Sequence, residues 1–238
     1  MNAAWVDLNV DDDTTMRAWV ARPEGEAPAR GLLVFQEAFG VNPHIRDVTE
    51  RFANSGFLAI APDLFHRTAP GFEGSYTDFP AAMPHLQAVT VPGIEADVRA
   101  AYGWLERAGV AGNAAAVGYC FGGRVAFVAN TTVPLKAAAS YYGGHIPPLL
   151  GRAGRLAGRM LFFWGGIDHH IPEDQRRAVV KAVGDAGKPF VDVVFSDADH
   201  GFFCDARSSY QPAAAAQAWS LTHAFFDTNC PRQQPARP

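Results

Sequence analysis

The stretch Ala114-Ala115-Ala116-Val117-Gly118-Tyr119-Cys120-Phe121-Gly122-Gly123-Arg124 decides how the rest of the chain is read. Small and apolar residues run up to Gly118, one thiol follows two positions later, and glycines follow the thiol. This is the G-x-Nuc-x-G spacing of a nucleophile elbow, with cysteine in the place more often held by serine. A nucleophile on a cramped strand-to-helix turn brings its flanking backbones together. Bulk at Gly118 or Gly122 would clash there, and the following helix aims its N-terminus at the reacting centre. The same letters also arise by chance in glycine-rich turns, so the flanking sequence must supply the context.

On the N-terminal side, Gly31-Leu32-Leu33-Val34-Phe35 and Phe57-Leu58-Ala59-Ile60-Ala61-Pro62-Asp63 are continuous apolar runs, as suits strands buried on both faces. Between them Asn42-Pro43 supplies a cap and a first-turn proline, Ile45, Val48 and Phe52 form a helical stripe, and Gly56 marks its end. Further upstream, Trp5 to Val10 alternates, and Thr15 to Ala21 is its expected hairpin partner across Asp11-Asp12-Asp13. Arg67 to about Gln87, rich in proline, glycine and aromatics, reads as a long surface loop with room for one short helix, and loops of this length are usually functional. Ile94, Val98, Ala101 and Leu105 mark an amphipathic helix before the elbow strand.

On the C-terminal side come strands at Leu135–Tyr142 and Met160–Gly165, then a helix opened by Pro172-Glu173-Asp174. A last strand spans Phe190–Phe195, and a closing helix spans Pro212–Phe226, with Trp219, Thr222 and Phe226 on one side. Alternating strands and helices predict the α/β class, a doubly wound and mostly parallel sheet with helices on both faces. No linker or internal repeat interrupts the 238 residues, so a single domain over 1–238 is expected.

With 48% hydrophobic and 18% charged residues, a net charge of -4 and no Lys/Arg run, the chain gives no reason to expect nucleic acid or an anionic membrane as a partner. The first 25 residues lack a signal-peptide pattern, and no apolar run is long enough to span a bilayer, so a cytoplasmic location is expected. Three widely spaced cysteines suit neither a disulfide framework nor a zinc ribbon, and no metal or cofactor is expected. Cys204 and Cys230 read as small buried fillers.

In open α/β sheets, functional groups collect at the carboxyl ends of strands. Four chemically capable residues fall there: Glu37, Cys120, Asp168 and His200. Their chain order of nucleophile, acid and histidine is that of α/β-hydrolases. Cysteine attacks as thiolate, and its ordinary pKa of about 8.5 leaves it mostly protonated at neutral pH. An imidazole can take that proton and return it, and a carboxylate behind the ring fixes the tautomer. The Phe121 N–H at the helix start, and the Ala38 N–H after the Leu32–Phe35 strand, are the expected oxyanion donors. Each residue has a plainer reading. Asp168 suits a cap for the helix near Pro172, His200 a satisfied loop histidine with His169 and His170 as rivals, and Glu37 a surface acid.

These residues resemble one known family as a set. Gln36-Glu37-Ala38-Phe39-Gly40, Pro62-Asp63-Leu64, Gly118-Tyr119-Cys120-Phe121-Gly122-Gly123, Gly165-Gly166-Ile167-Asp168 with Ile171-Pro172, and His200-Gly201-Phe202 look like the dienelactone hydrolase family, over about residues 5–228. The resemblance implies the α/β-hydrolase fold and a Cys120–His200–Asp168 triad. It also implies that Glu37 partners the thiol and helps generate the thiolate when substrate binds.

The family's reaction opens dienelactone, an enol lactone bearing a carboxylate, to maleylacetate. Two arginines hold that carboxylate. Arg67 matches one of them, but the second position, four residues after the histidine, is Cys204 here. Arg207, three residues further on, is the candidate substitute. Losing one arm of a bidentate grip changes what a site accepts, so a lactone or small ester substrate is a firmer expectation than dienelactone itself.

Other readings are a carboxylesterase of the same family acting on a different small ester, a binding module that kept the fold and lost turnover, and a thiol redox protein using Cys120 and Cys204. The last lacks a C-x-x-C motif. A monomer or a homodimer is compatible with all of them.

Overall fold

The computed structural model describes residues 2–25 and 28–232. An N-terminal hairpin, β1 (Asn2–Asn9) and β2 (Thr15–Arg22), pairs antiparallel with Trp5 opposite Trp19. The chain then alternates: β3 (Gly31–Phe35), α1 (Pro43–Asn54), β4 (Leu58–Pro62), α2 (Phe79–Ala88), α3 (Val91–Arg107), β5 (Ala114–Tyr119), α4 (Phe121–Thr132), β6 (Ala137–Tyr141), β7 (Arg159–Gly165), α5 (Glu173–Asp185), β8 (Phe190–Phe195) and α6 (Pro212–Asn229). The eight strands form one sheet in the order β1-β2-β4-β3-β5-β6-β7-β8. The hairpin joins antiparallel through β2 and β4, and every later pairing is parallel.

β3, β4, β5 and β6 are buried along their whole lengths, which is why they read as unbroken apolar runs. The centre of the sheet is built from small side chains, with Ala115 beside Ala137, Ala116 beside Ala138 and Val117 beside Ala139. α1 starts where its cap predicts, with Asn42 Oδ1 accepting from the Ile45 N–H at 3.1 Å and Pro43 in the first turn. Its Phe52 packs against Trp219 and Phe226 of α6, with ring centroids 4.6 and 6.3 Å apart.

The structure departs from the expected pattern in details. The one short helix that the loop from Arg67 to Gln87 had room for is α2; its start is capped by Asp78 accepting from the Ala81 N–H, its interior tolerates Pro84, and its end, Ala88, lies one residue past the expected stretch. A 3-10 segment, Pro147–Arg155, lies between β6 and β7, where the sequence showed no periodicity. α6 runs to Asn229, beyond the last apolar residue of its stripe. The edge strand β8 is only partly covered and exposes Val191 and Val194.

Candidate active site

β5 ends on Tyr119, and α4 starts on Phe121, so the turn between them is the single residue Cys120. Its backbone takes φ 54 and ψ -116. This sparsely populated geometry for a side-chain-bearing residue costs about 1–3 kcal/mol and persists only where neighbours impose it. The neighbours here are bare backbone. A Cβ on Gly118 would land on the Gly122 carbonyl, and one on Gly122 would land on the Phe35 and Gln36 carbonyls. The first turn of α4 therefore rests against the end of β3, beside the loop carrying Glu37 and Ala38. Neither the Phe121 nor the Ala38 N–H has an acceptor among the described residues. Two free donors flanking a nucleophile can stabilise an oxyanion.

Asp168 and His200 arrive at the same end of the sheet from the turns after β7 and β8. His200 Nδ1 is 2.9 Å from Asp168 Oδ2. The other carboxylate oxygen accepts from the backbone N–H groups of His170 at 2.7 Å and Ile171 at 3.2 Å. Both readings of Asp168 thus hold at once: one oxygen organises the turn before α5, and the other orients the imidazole. His169 and His170 are exposed, and His170 touches His200 only ring against ring, at 5.2 Å.

The opposite side of the His200 ring faces the Cys120 sulfur. Burial pushes the imidazole down, but the Cys120 charge and the Asp168 and Cys120 hydrogen bonds outweigh it and raise it to about 10. Asp168 is likewise pulled two ways. Burial raises it, and the His200 contact, with the His170 N–H behind it, brings it below its ordinary value. The arrangement joins a nucleophile to a base that a carboxylate orients, and such a set can attack an acyl carbon and then protonate a leaving oxygen.

Glu37 is fully buried. Arg207 Nη1 donates to its Oε1 at 3.1 Å, while Oε2 has no hydrogen-bond partner. The Arg207 guanidinium also feels the Cys120 charge, so it lies within electrostatic reach of the thiol. Around this pair are buried Tyr142, edge-on to His200 at 5.1 Å, and Tyr76, hydrogen-bonded by Asn42 Nδ2 at 3.0 Å. Burial first, and then the Glu37 charge, raise both phenols and keep them protonated.

Arg67 is placed differently. Its guanidinium grips both oxygens of buried Asp97 on α3, at 3.0 and 2.8 Å, and donates to Asp12 in the β1–β2 turn at 2.7 Å. The described residues show no contact between it and Cys120, His200 or Glu37. A cation that sequence reading overlooked lies nearer. Arg124, in the first turn of α4, is largely buried, has its guanidinium 5.0 Å from the Phe121 ring, and has no carboxylate partner among the described residues. Burial lowers its pKa, and the Cys120 charge acts against that. A positive charge in a first helical turn opposes the helix dipole. That is the one signal in the sequence that could have singled it out.

A parallel sheet entered through a hairpin, with a strained residue at the turn between a central strand and the next helix, defines an α/β-hydrolase. Comparison with known proteins narrows the class. A sequence model of the dienelactone hydrolase family matches residues 16–230. A Synechocystis sp. protein provisionally named carboxymethylenebutenolidase is 33% identical over 228 residues, covering 88% of this chain and 90% of that one. The carboxymethylenebutenolidase of Pseudomonas putida is 31% identical over 218 residues, covering 90% and 91%. A crystal structure provisionally named dienelactone hydrolase, from Klebsiella pneumoniae subsp. pneumoniae, superposes with a TM-score of 0.86 at 30% identity, covering 94% of this chain and 98% of its own. The chain belongs to the dienelactone hydrolase family and is a carboxylic ester hydrolase. No helix among the described residues is long and apolar enough to cross a membrane.

Proposed function

We propose that the protein opens a lactone or small ester through a thioester on Cys120. The observation that carries this reading is the His200 ring, held by Asp168 Oδ2 at 2.9 Å with the Cys120 sulfur on its other side. The Cys120 thiolate adds to the carbonyl carbon, and the oxyanion is held by the Phe121 and Ala38 N–H groups. The ring C–O bond then breaks, and His200 gives its proton to the departing oxygen. In the second half, His200 takes a proton from water as the hydroxyl attacks the thioester, and the thiolate leaves. An enol lactone suits this order because its leaving oxygen is stabilised, whereas the anion of an ordinary alcohol leaves less readily than the thiolate.

Glu37 takes the role the family resemblance implies, partnering the Cys120 thiol when substrate arrives. Arg207, 3.1 Å from Glu37, holds the acid in the resting state. For a carboxylate on the substrate, Arg124 is the better counter-ion. Its charge is partly buried near Cys120 without a carboxylate partner among the described residues, while Arg67 is already engaged by Asp97 and Asp12. A partly desolvated cation gains from a ligand that supplies the anion. Three unpaired cysteines fit a reducing, cytoplasmic setting.

The test is turnover of cis-dienelactone and p-nitrophenyl acetate by the wild type and by Cys120→Ser, with mass spectrometry of the quenched enzyme. Lactone opening that collapses in the variant, with an acyl adduct on Cys120 in the wild type, supports the whole reading. Ester turnover without lactone turnover retains the Cys120 hydrolase and discards the enol lactone. Undiminished turnover by Cys120→Ser with no adduct would sink the thioester.

A further inference from the structure

Behind Glu37 lies a set of donors that hydrolysis does not require. Glu37, His44 and Cys204 each offer one ligand atom, these atoms lie within 4.8 Å of one another, and all three residues are buried. They come from the loop after β3, the first turn of α1 and the segment after His200. Their sequence spacing therefore gives no hint of the cluster.

The hydrogen bonding around them is incomplete in a specific way. His44 Nδ1 is 3.3 Å from Asp205 Oδ1, so the open side of the ring faces a carboxylate while Nε2 points inward. Nε2 has no partner, and neither has Glu37 Oε2. Buried polar atoms left without a partner are costly, and two of them lie within this one cluster. The single weak S–H of Cys204 cannot serve both. A divalent cation would satisfy the carboxylate, imidazole and thiolate together, and this mixed donor set suits a borderline-soft ion of the zinc type.

We propose that Glu37, His44 and Cys204 form an inhibitory site for a zinc-type divalent cation. On binding, the Cys204 thiol releases its proton to solvent. The ion then takes Cys204 Sγ, His44 Nε2 and Glu37 Oε2, and a water fills the fourth position. Oε1 keeps its bond to Arg207, so the guanidinium need not leave. Tetrahedral donors lie about 3.3–3.8 Å apart, so atoms already within 4.8 Å of one another need only a small contraction. Access is from the His44 side, where exposed Asp205 lines a cleft of about 300 Å³ together with Arg51 and Phe203. Binding does not depend on the proposed hydrolytic mechanism. Its effect on turnover does, because the ion would hold Glu37 away from the Cys120 thiol.

The experiment is a Co²⁺ titration, followed by Zn²⁺ competition, on folded Cys120→Ala protein, in which Cys120 and His200 can no longer act as a thiolate–imidazole chelate. One Co²⁺ per chain is expected, with a thiolate-to-cobalt charge-transfer band and the intense visible bands of a tetrahedral site. The charge-transfer band should vanish in Cys120→Ala/Cys204→Ala, and affinity should fall about 10-fold or more in Cys120→Ala/His44→Gln. No saturable binding, or an unchanged band without Cys204, overturns the site and leaves water or a proton as the occupant of the cluster. With Cys120 intact, Zn²⁺ should inhibit turnover, a chelator should restore it, and Cys204→Ala should raise the inhibitory concentration about 10-fold or more. Cys204-dependent binding without inhibition would uphold the cation site but overturn its inhibitory character, and with it the role given to Glu37.

Discussion

Arg207 Nη1 lies 3.1 Å from Glu37 Oε1, joining residues 170 positions apart across the site, with the acid fully buried and the guanidinium about one-fifth exposed. A carboxylate with no contact to water has this guanidinium as its ion-pair partner. Arg207→Met should therefore destabilise the protein by roughly 3 kcal/mol, read from urea unfolding, because a buried charge is left without its partner. Glu37→Gln in the same background should recover part of that loss. A double variant no more stable than Arg207→Met would show that the pair is not what holds this corner of the site together.

The His200–Asp168 pair sets an expectation for pH. With the imidazole raised to about 10, the alkaline limb of kcat/KM, where His200 loses the proton it must donate, should fall near pH 10. Asp168→Asn removes part of the upward pull, so the limb should move toward the ordinary histidine value of about 6.5. A limb that stays put in the variant would mean that another group is titrating.

The same shifts make a statement about stability. A histidine raised on folding contributes fully below its unfolded value of 6.5, and the contribution is lost as pH rises toward 10. Asp168, lowered on folding, contributes above 3.8 and loses its contribution as pH falls. The stability gap between wild type and Asp168→Asn should thus be widest near pH 5–6 and narrow by pH 10. Denaturant titrations at the two pH values measure this, and a gap independent of pH contradicts it.

The two arginines near the sheet's carboxyl end can be told apart by substrate charge. Arg124→Met should lower the preference for a carboxylate-bearing lactone over a neutral ester by about 10–100-fold, the worth of a charge-assisted hydrogen bond. Arg67→Met should leave that preference unchanged and instead lower stability by roughly 2–3 kcal/mol. That is less than a fully buried pair would lose, because Arg67 is partly in water and His66 still meets Asp97 at 3.0 Å. The opposite pattern would return the carboxylate grip to Arg67.

The strands and helices were legible because their determinants are local. Leu32–Phe35 has nowhere to go but the middle of a sheet, and Asn42-Pro43 can do little else but open a helix. Cys120, Asp168 and His200 could be placed at strand ends because the glycines and strand lengths around them fix those ends. What could not be read depends on side chains meeting over long separations. Nothing near Arg67 announces Asp97, 30 residues on, and Arg124 looks like any solvated helix charge until its burial is seen. The Glu37–His44–Cys204 cluster is invisible for the same reason.

The alanine-built centre of the sheet has a consequence for how such an enzyme can change. Ala116 and Ala138, on the same sheet face as Gly118 and Ser140 where the first turn of α4 rests, let α4 settle close on β5 and β6, and α4 carries the Phe121 N–H, so an enlarged side chain beneath would lift the whole turn. Selection for new substrates has little room to work there. Productive variation is confined to the segments above, around residues 65–90 and 204–210, at positions other than the ion-paired Arg67 and Arg207. A library randomised at those positions should yield altered specificities at far higher frequency than one aimed at the alanines.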